Sequence, residues 1–454
     1  MRKLLFRAST WACVLLVAGC ASYQPLPLPE RAKLAGHVTD IQRVLPAPAS
    51  GGASTVIDVD KPLTPEEVGL LAILNAPELQ SERGEFDLAQ ARIVQSALLP
   101  NPSVSLGYAA VLGGPATAAA YIASLAQDIA SLVTYRSREA AAKAHVAQVN
   151  AGLLWKEWQV AQKARLLAVG LYWNGRALRA NQAQLALIAH TAAQVQYAVD
   201  RGDASLANLT PLLASKASLE QSVATLELRQ AKDWGDLNGL LGLKPDARFV
   251  IASPSVAAPP PDLRTLIAST ANRRPDLVAL QLGYQSADES VRTAILGQFP
   301  AFALGGSWGS DTTQVRSAGP TVTFDLPIFK RNQGGIAQAR ATRLLLHEQY
   351  QSRLDTTEST ILALHSRSQY LASHVEVAQN EVQVAEAQAK AARAAFRAGN
   401  LDERSLNDYE STALARRLAI FDFSRGLDEA RIGLQLELGL GLPQTRIAPL
   451  DTSE

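Results

Sequence analysis

Through residues 136–199 and again through 336–398, apolar side chains recur at a helical period. Both stretches are nearly free of Pro, carry few Gly and are rich in Ala, Leu, Gln, Lys and Arg, which are good helix formers. In the second stretch Val375, Val382, Ala389 and Phe396 stand seven apart, with Ala378, Ala385 and Ala392 three places on. In the first, Leu178, Leu185, Ala192 and Val199 hold the same position, and Asn181, Ile188 and Val195 the second. This is an a/d heptad seam, and its many alanines predict close, shallow packing between helices. At 1.5 Å per residue each stretch makes a rod about 95 Å long, which needs lateral partners along its length. Shorter helices are predicted at about 65–99 and 211–239 in the first half and 261–298 and 406–436 in the second. Gly202 and Gly399 stand just past the long helices, where a left-handed cap favours Gly, so both rods should reverse at equivalent tips.

The period changes after Pro102 and Pro300. Ser103-Val104-Ser105-Leu106-Gly107-Tyr108 alternates polar with apolar, and Phe302, Leu304 and Trp308 do likewise, predicting strands at about 103–112 and 302–309. Return strands are expected at about 119–129, where the Ala-rich pattern is weak, and at 319–326, where Thr321 to Leu326 alternate between Pro320 and Pro327. The intervening turns are Leu112-Gly113-Gly114-Pro115 and the polar run from Gly309 to Gly319. Each strand approaches the length that crosses a bilayer when tilted. A membrane core holds no water to satisfy the edges of an open sheet, so four strands can span it only inside a closed barrel. Single-chain barrels begin at about eight strands, so copies of the chain would have to share one, and three copies would supply twelve strands.

The chain is written twice. Pro77-Glu78-Leu79 corresponds to Pro275-Asp276-Leu277, and Pro102 to Gly107 corresponds to Pro300 to Gly305, at an offset of 198. Asp128-Ile129 with Asp325-Leu326, Gly202 with Gly399, Leu209 with Leu406, and Leu241-Gly242-Leu243 with Leu438-Gly439-Leu440 follow at 197. One register held over that length predicts two copies of one structural unit. The domain reading is a signal peptide at 1–19, a Pro-rich arm at 20–62, a first repeat at 63–245, a linker at 246–262, a second repeat at 263–443 and a tail at 444–454.

Of the 454 residues, 47% are hydrophobic and 19% charged, which excludes disorder. Lys and Arg total 43 against 42 Asp and Glu, so no basic excess is present for a phosphate backbone and nucleic acid is not an expected partner. Arg2, Lys3 and Arg7 precede a short apolar stretch, the layout of a secretory signal. It closes as Val17-Ala18-Gly19-Cys20, which resembles the lipobox of bacterial lipoproteins. That resemblance implies cleavage before Cys20 and attachment of acyl chains to it, and the absence of Asp after the cysteine implies transfer to the outer membrane. Cleavage would remove Cys13, leaving no cysteine pair and no disulfide.

Several motifs together resemble the bacterial outer membrane efflux family, the TolC-like channel proteins. They are Arg274-Pro275-Asp276-Leu277, the helix ending at Phe299-Pro300, Pro327-Ile328-Phe329 with Asn332 and Gly334, and Phe396-Arg397-Ala398-Gly399-Asn400 before a Leu-rich helix. The resemblance implies a mainly α fold of long coiled-coil-like helices forming an α-barrel, with four strands per chain completing a 12-stranded barrel in a homotrimer. It further implies a lipid-anchored outer membrane exit duct that reaches through the periplasm to an adaptor (membrane fusion) protein and an inner-membrane pump, and no enzyme. Residues 26–62 look like the N-terminal arm that lipoprotein members lay outside the helical barrel. The cargo, whether drug, metal ion or polypeptide, is not legible. A lipid-anchored periplasmic coiled-coil adaptor is the alternative reading; it explains the heptads and Cys20 but not strands at equivalent places in both halves.

A duct open at rest would leak, which directs attention to the tips. Asp402, Glu403, Arg404 and Asp408 follow Gly399, and threefold symmetry would turn each into a ring of charge able to bind cations or form salt bridges. By the resemblance Asp408 matches the aspartate of the family's gate, and Arg404 stands where some members place an apolar constriction. In the first half Pro211 occupies the position equivalent to Asp408, leaving Asp203 as the acidic candidate. Tyr108 and Trp308 are candidate membrane-interface aromatics. Apart from the lipid on Cys20 no cofactor is expected. Six scattered His and a single Met make no metal site, and Gly305-Gly306-Ser307-Trp308-Gly309 fits the spacing of a hydrolase elbow without the helix that must follow it.

Overall fold

A computed structural model describes residues 23–45, 55–96, 98–114, 118–258, 260–300, 302–324 and 326–440. The chain divides into two units, Met1–Leu34 and Ala35–Glu454. In the first, residues 23–34 carry neither helix nor strand, and Tyr23, Leu26 and Leu28 are exposed. Cys20 and the whole signal segment lie outside the described residues.

The second unit starts with residues that enter a core instead of lying free. Ala35 donates to the Gly242 carbonyl (3.0 Å) and accepts from Lys244 (2.9 Å), and Leu63 and Ile251 form a parallel bridge. A two-residue ladder, β1 (Val44–Leu45) with β2 (Thr55–Val56), adds strands that the alternation does not reveal because they are too short to show a period. Val38, Ile57, Val59 and Leu63 are buried against Leu237, Leu241 and Leu243, so residues 35–45 and 55–63 complete the core of the first repeat.

That repeat continues with α1 (Pro65–Asn75), α2 (Pro77–Ser96), β3 (Ser103–Ala109), β4 (Ala120–Asp128), α3 (Ala130–Asp200) and α4 (Leu206–Leu241). The second runs α5 (Leu263–Ala268), α6 (Thr270–Arg273), α7 (Pro275–Leu296), β5 (Phe302–Ser310), β6 (Arg316–Phe324), α8 (Gln333–Arg397) and α9 (Glu403–Glu437). Two expected single helices are therefore interrupted. Ala76 and Arg274 each precede a proline and take extended ψ values of 121° and 124°, because the proline ring disfavours helical backbone in the residue before it. The helix expected to start at Pro211 starts at Leu206 and holds Pro211 inside. Its start lies 197 residues before Glu403, the first residue of α9, so the repeat register outweighs the local proline signal.

With 71 residues, α3 is about 106 Å long, and it packs against α1, α2, α4, α7 and α9; α8 packs against α7 and α9. Ala378, Ala385, Ala389 and Ala392 are buried on one side of α8, with Asn181, Ile188, Ala192 and Val195 in the corresponding seam of α3. Apolar burial is thus spread over small clusters along the rods, with one larger core where α1, α3, α4 and residues 35–45 and 55–63 meet.

Polar contacts join the repeats. Arg165 Nη2 donates to Gln435 Oε1 (2.7 Å) and Arg425 Nη1 to Asn174 Oδ1 (3.2 Å). Trp173 Nε1 on α3 donates to Asp428 Oδ2 on α9 at 2.9 Å. Burial pushes the Asp428 carboxyl above its ordinary range, and the Trp173 hydrogen bond and Arg431 only partly oppose it. A raised carboxyl favours the fold while protonated, below the ordinary carboxylate range, and that contribution is lost as pH rises through the raised value. Asp428→Asn keeps an acceptor for Trp173 without the charge. It should therefore be more stable than wild type at pH 8, and the two should converge towards pH 4 in thermal unfolding followed by tryptophan fluorescence. Loss of stability at pH 8 would show instead that the ionised form is the favoured one.

Candidate functional site: the sheet and the helix tips

The four longer strands form one antiparallel sheet in the order β3-β4-β5-β6. Its register sorts the side chains. Leu106 pairs with Ala123, Ala123 with Trp308 and Trp308 with Ala318; Tyr108 pairs with Tyr121, and Phe302 with Phe324. Directly opposed residues share a face, so Val104, Leu106, Tyr108, Tyr121, Leu125, Phe302, Leu304, Trp308, Val322 and Phe324 all lie on one side. All ten are exposed. The other face carries Ser103, Ser105, Ser124, Ser307, Ser317, Thr321 and Thr323 among Gly and Ala, with Ile122 as its one large apolar side chain, and the Ser105 and Ser124 hydroxyls are 2.7 Å apart. One apolar and one small polar face, both open, is the division a barrel wall makes between lipid and lumen.

Two strand expectations need correction. The first strand ends at Ala109, short of 112, and the run expected as a turn from Gly309 to Gly319 is mostly ladder, with Ser310 pairing Arg316. Only Asp311 to Val315 turn. The Asp311 carboxylate accepts from the backbone N–H of Thr313 (2.8 Å) and Val315 (2.9 Å), and Gln314 takes φ 66°, which closes the turn tightly and lets pairing resume. Gly309-Ser310 and Ser317-Ala318-Gly319-Pro320 carry too few large apolar side chains to show alternation. Ser307 sits mid-ladder opposite Ser124 and Gly319, not on a strand-to-helix turn.

At the far end of α3 and α8 the two tips are alike. Gly202 and Gly399 have φ of 81° and 77°, and the residue after each donates five places back, Asp203 to Ala198 (2.8 Å) and Asn400 to Ala395 (2.9 Å). These are Schellman caps, which require the left-handed conformation Gly supplies without strain. Asp402 is the N-cap of α9, accepting from Ser405 N–H (2.9 Å) and its hydroxyl (2.8 Å). Those bonds hold its carboxyl below the usual range, whereas partial burial raises that of Glu403. Arg404, Asp408 and Asp203 are exposed.

The charges that hold the second tip together escaped the sequence reading. Glu410, only 6% exposed, accepts from Arg393 Nη1 at 2.7 Å, and Arg417 contacts Glu386 through Nε (2.9 Å) and Nη2 (2.7 Å). Glu386 and Arg393 are a heptad apart, as are Glu410 and Arg417, so the pairs mirror one another across the tip; that spacing was the available signal. The first hairpin is held instead by Ala192, Val195, Leu209 and Leu212. Among the described residues no helix is long and apolar enough to cross a membrane.

Residues 266–440 match the family model described as outer membrane efflux protein. No curated protein sequence matches the chain. Solved structures with the same fold include the outer membrane channel CmeC of Campylobacter jejuni (14% identity, 83% of this chain and 85% of that one, TM-score 0.70). They also include the outer membrane protein VceC of Vibrio cholerae (17%, 83% and 96%, 0.65) and the MtrE outer membrane channel of Neisseria gonorrhoeae in its open state (16%, 92% and 98%, 0.66). The second repeat thus matches the outer membrane efflux protein model, and the fold of the chain is that of solved outer membrane channels.

Proposed function

We propose that the chain is one third of an outer membrane exit duct, a homotrimer that takes cargo from a periplasmic adaptor and an inner-membrane pump. The carrying observation is the open sheet. Its apolar face is exposed, and β3 and β6 each have one unpaired edge, which three copies satisfy by closing twelve strands around a polar lumen. A second support lies on α8, where Tyr370, Val377 and Val384, spaced by heptads, are exposed about a quarter-turn around the helix from the buried alanine seam and offer a neighbouring copy a second seam. A lipid on Cys20 would hold the chain at the membrane, since each buried methylene adds about 0.8 kcal/mol. The cargo is toxic small molecules or another exported class, which a deletion strain screened for increased sensitivity would identify.

The test is reconstitution. Outer membrane protein extracted in detergent should run as a trimer and conduct ions in planar bilayers. A delipidated chain that is monomeric in water and gives no channels would end this reading in favour of a periplasmic scaffold. At the tip, Asp408→Ala should raise single-channel conductance about twofold or more by removing three charges from the constriction. Asp402→Asn, which preserves the cap acceptor, should change it little. Equal conductance in Asp408→Ala and wild type would remove Asp408 from the gate.

A further inference from the structure

The end of the sheet away from the Asp311 turn carries apolar surface that neither the strands nor the tips explain. After β6 the chain exposes Leu326, Ile328 and Phe329, the last at 89%. Phe299, just before β5, and Leu98 and Leu99, before β3, are exposed too. The loop after β6 is braced. Ile328 N–H donates to the Leu326 carbonyl (2.8 Å), Arg331 Nε to the Pro327 carbonyl (3.3 Å), and Arg331 N–H to Gln333 Oε1 (3.0 Å). Asn332, in the left-handed region at φ 56°, donates through Nδ2 to the Ala294 carbonyl of α7 (2.8 Å). A phenylalanine held out on such a loop is placed there by the backbone, not left over from packing.

Charge follows directly. Lys330 and Arg331 are exposed and, among the described residues, pair with no carboxylate. From Leu326 to His347 the sequence holds Lys330, Arg331, Arg340 and Arg343 and no acid; Arg343 is taken by Asp288 (2.7 Å). In the first repeat the same junction offers exposed Leu132, Val133 and Arg136.

Resting on the reading of the sheet as a membrane wall, we propose that residues 326–331 bind phospholipid. Ile328 and Phe329 enter the boundary between headgroups and acyl chains of the near leaflet, while Lys330 and Arg331 meet the phosphates of anionic headgroups. Two features favour lipid as the occupant. The apolar surface continues from Phe324 and Val322 on the lipid side of β6, and an apolar pair flanked by two cations suits an anionic interface. A second copy fits less well. Closure would bring its β3 beside β6, and between Asp87 and Asp128 the chain has no acid to meet Lys330 and Arg331.

The experiment places an environment-sensitive dye at Phe329→Cys and, separately, at Val322→Cys, in the full chain reconstituted into phosphatidylethanolamine vesicles with phosphatidylglycerol. Wild type labelled in parallel gives the background from Cys13 and Cys20. Dye at position 322 should be quenched by doxyl-labelled acyl chains; if it is not, the wall reading itself fails. With 322 quenched, dye at 329 should be quenched by lipid carrying a shallow doxyl group and protected from iodide. Quenching by iodide alone, or protection from both quenchers as a covering copy would give, overturns the proposal. Trimers of Lys330→Glu/Arg331→Glu, and of the milder Lys330→Ala/Arg331→Ala, should retain about tenfold less phosphatidylglycerol in native mass spectra than wild type. Undiminished retention in both overturns the headgroup assignment.

Discussion

Arg274→Met should destabilise the protein by about 3–5 kcal/mol. Arg274 is 2% exposed and grips Asp276 with both ends of its fork, Nε to Oδ1 at 2.9 Å and Nη2 to Oδ2 at 2.7 Å. Its Nη1 pairs with the Glu437 carboxylate at the end of α9 and reaches the Glu437 carbonyl (3.3 Å), and the guanidinium lies 4.6 Å from the centre of the Trp155 ring on α3. One side chain thus ties α7, α9 and α3 at the level where the helix breaks before Pro275. Removing it leaves Asp276 buried with only Arg353, 3.8 Å away, to compensate. The cost comes from the stranded carboxylate, so Arg274→Met with Asp276→Leu should recover most of it. Thermal unfolding followed by tryptophan fluorescence would measure both; a loss under about 1 kcal/mol in the single variant would mean that the cluster is solvated. In the first repeat Ala76 stands at the position of Arg274 and Leu240 at that of Glu437, both buried, while Glu78, at that of Asp276, is exposed.

Gly305→Val should abolish assembly of the sheet while leaving the helices formed. A Cβ at position 305 would collide with the Leu125 carbonyl oxygen and lie 3.0 Å from Ala126 Cα, both backbone atoms of the paired strand that cannot swing aside. Gly309 meets Tyr121 and Ile122 in the same way. Gly306 provides the contrast, because its added Cβ would find only the Gly319 carbonyl at an ordinary 3.8 Å, so Gly306→Ala should assemble normally. Circular dichroism would show retained helix in Gly305→Val, and extraction from outer membranes would yield no heat-resistant trimer. Trimers at the wild-type level would show that β4 and β5 separate enough to admit a side chain, and that the close approach does not govern the wall.

Periodicity carried most of what could be read from the chain. The duplicated register, the heptad seams of α3 and α8 and the Gly tips are local or repeated signals, and each rests on backbone preference or spacing that needs no third dimension. Where local signals competed, the outcome was less legible. Pro211 marks a helix start by local rules, yet the tip geometry starts α4 five residues earlier. Asp402 and Asp408 are both acids just past Gly399 in sequence, but in the fold Asp402 is a helix cap and Asp408 is exposed.

Order along the chain therefore determined the element types, the internal duplication and the need for partner strands, since all three follow from side-chain period and the count of strands. Only the folded chain decided that ten apolar side chains from four strands share one open face, that Arg274 ties α7 to α9 and α3, and that Glu410 is clasped by Arg393. Those facts depend on which residues far apart in sequence are brought within a few ångströms, and pairing, burial and charge compensation are properties of that proximity.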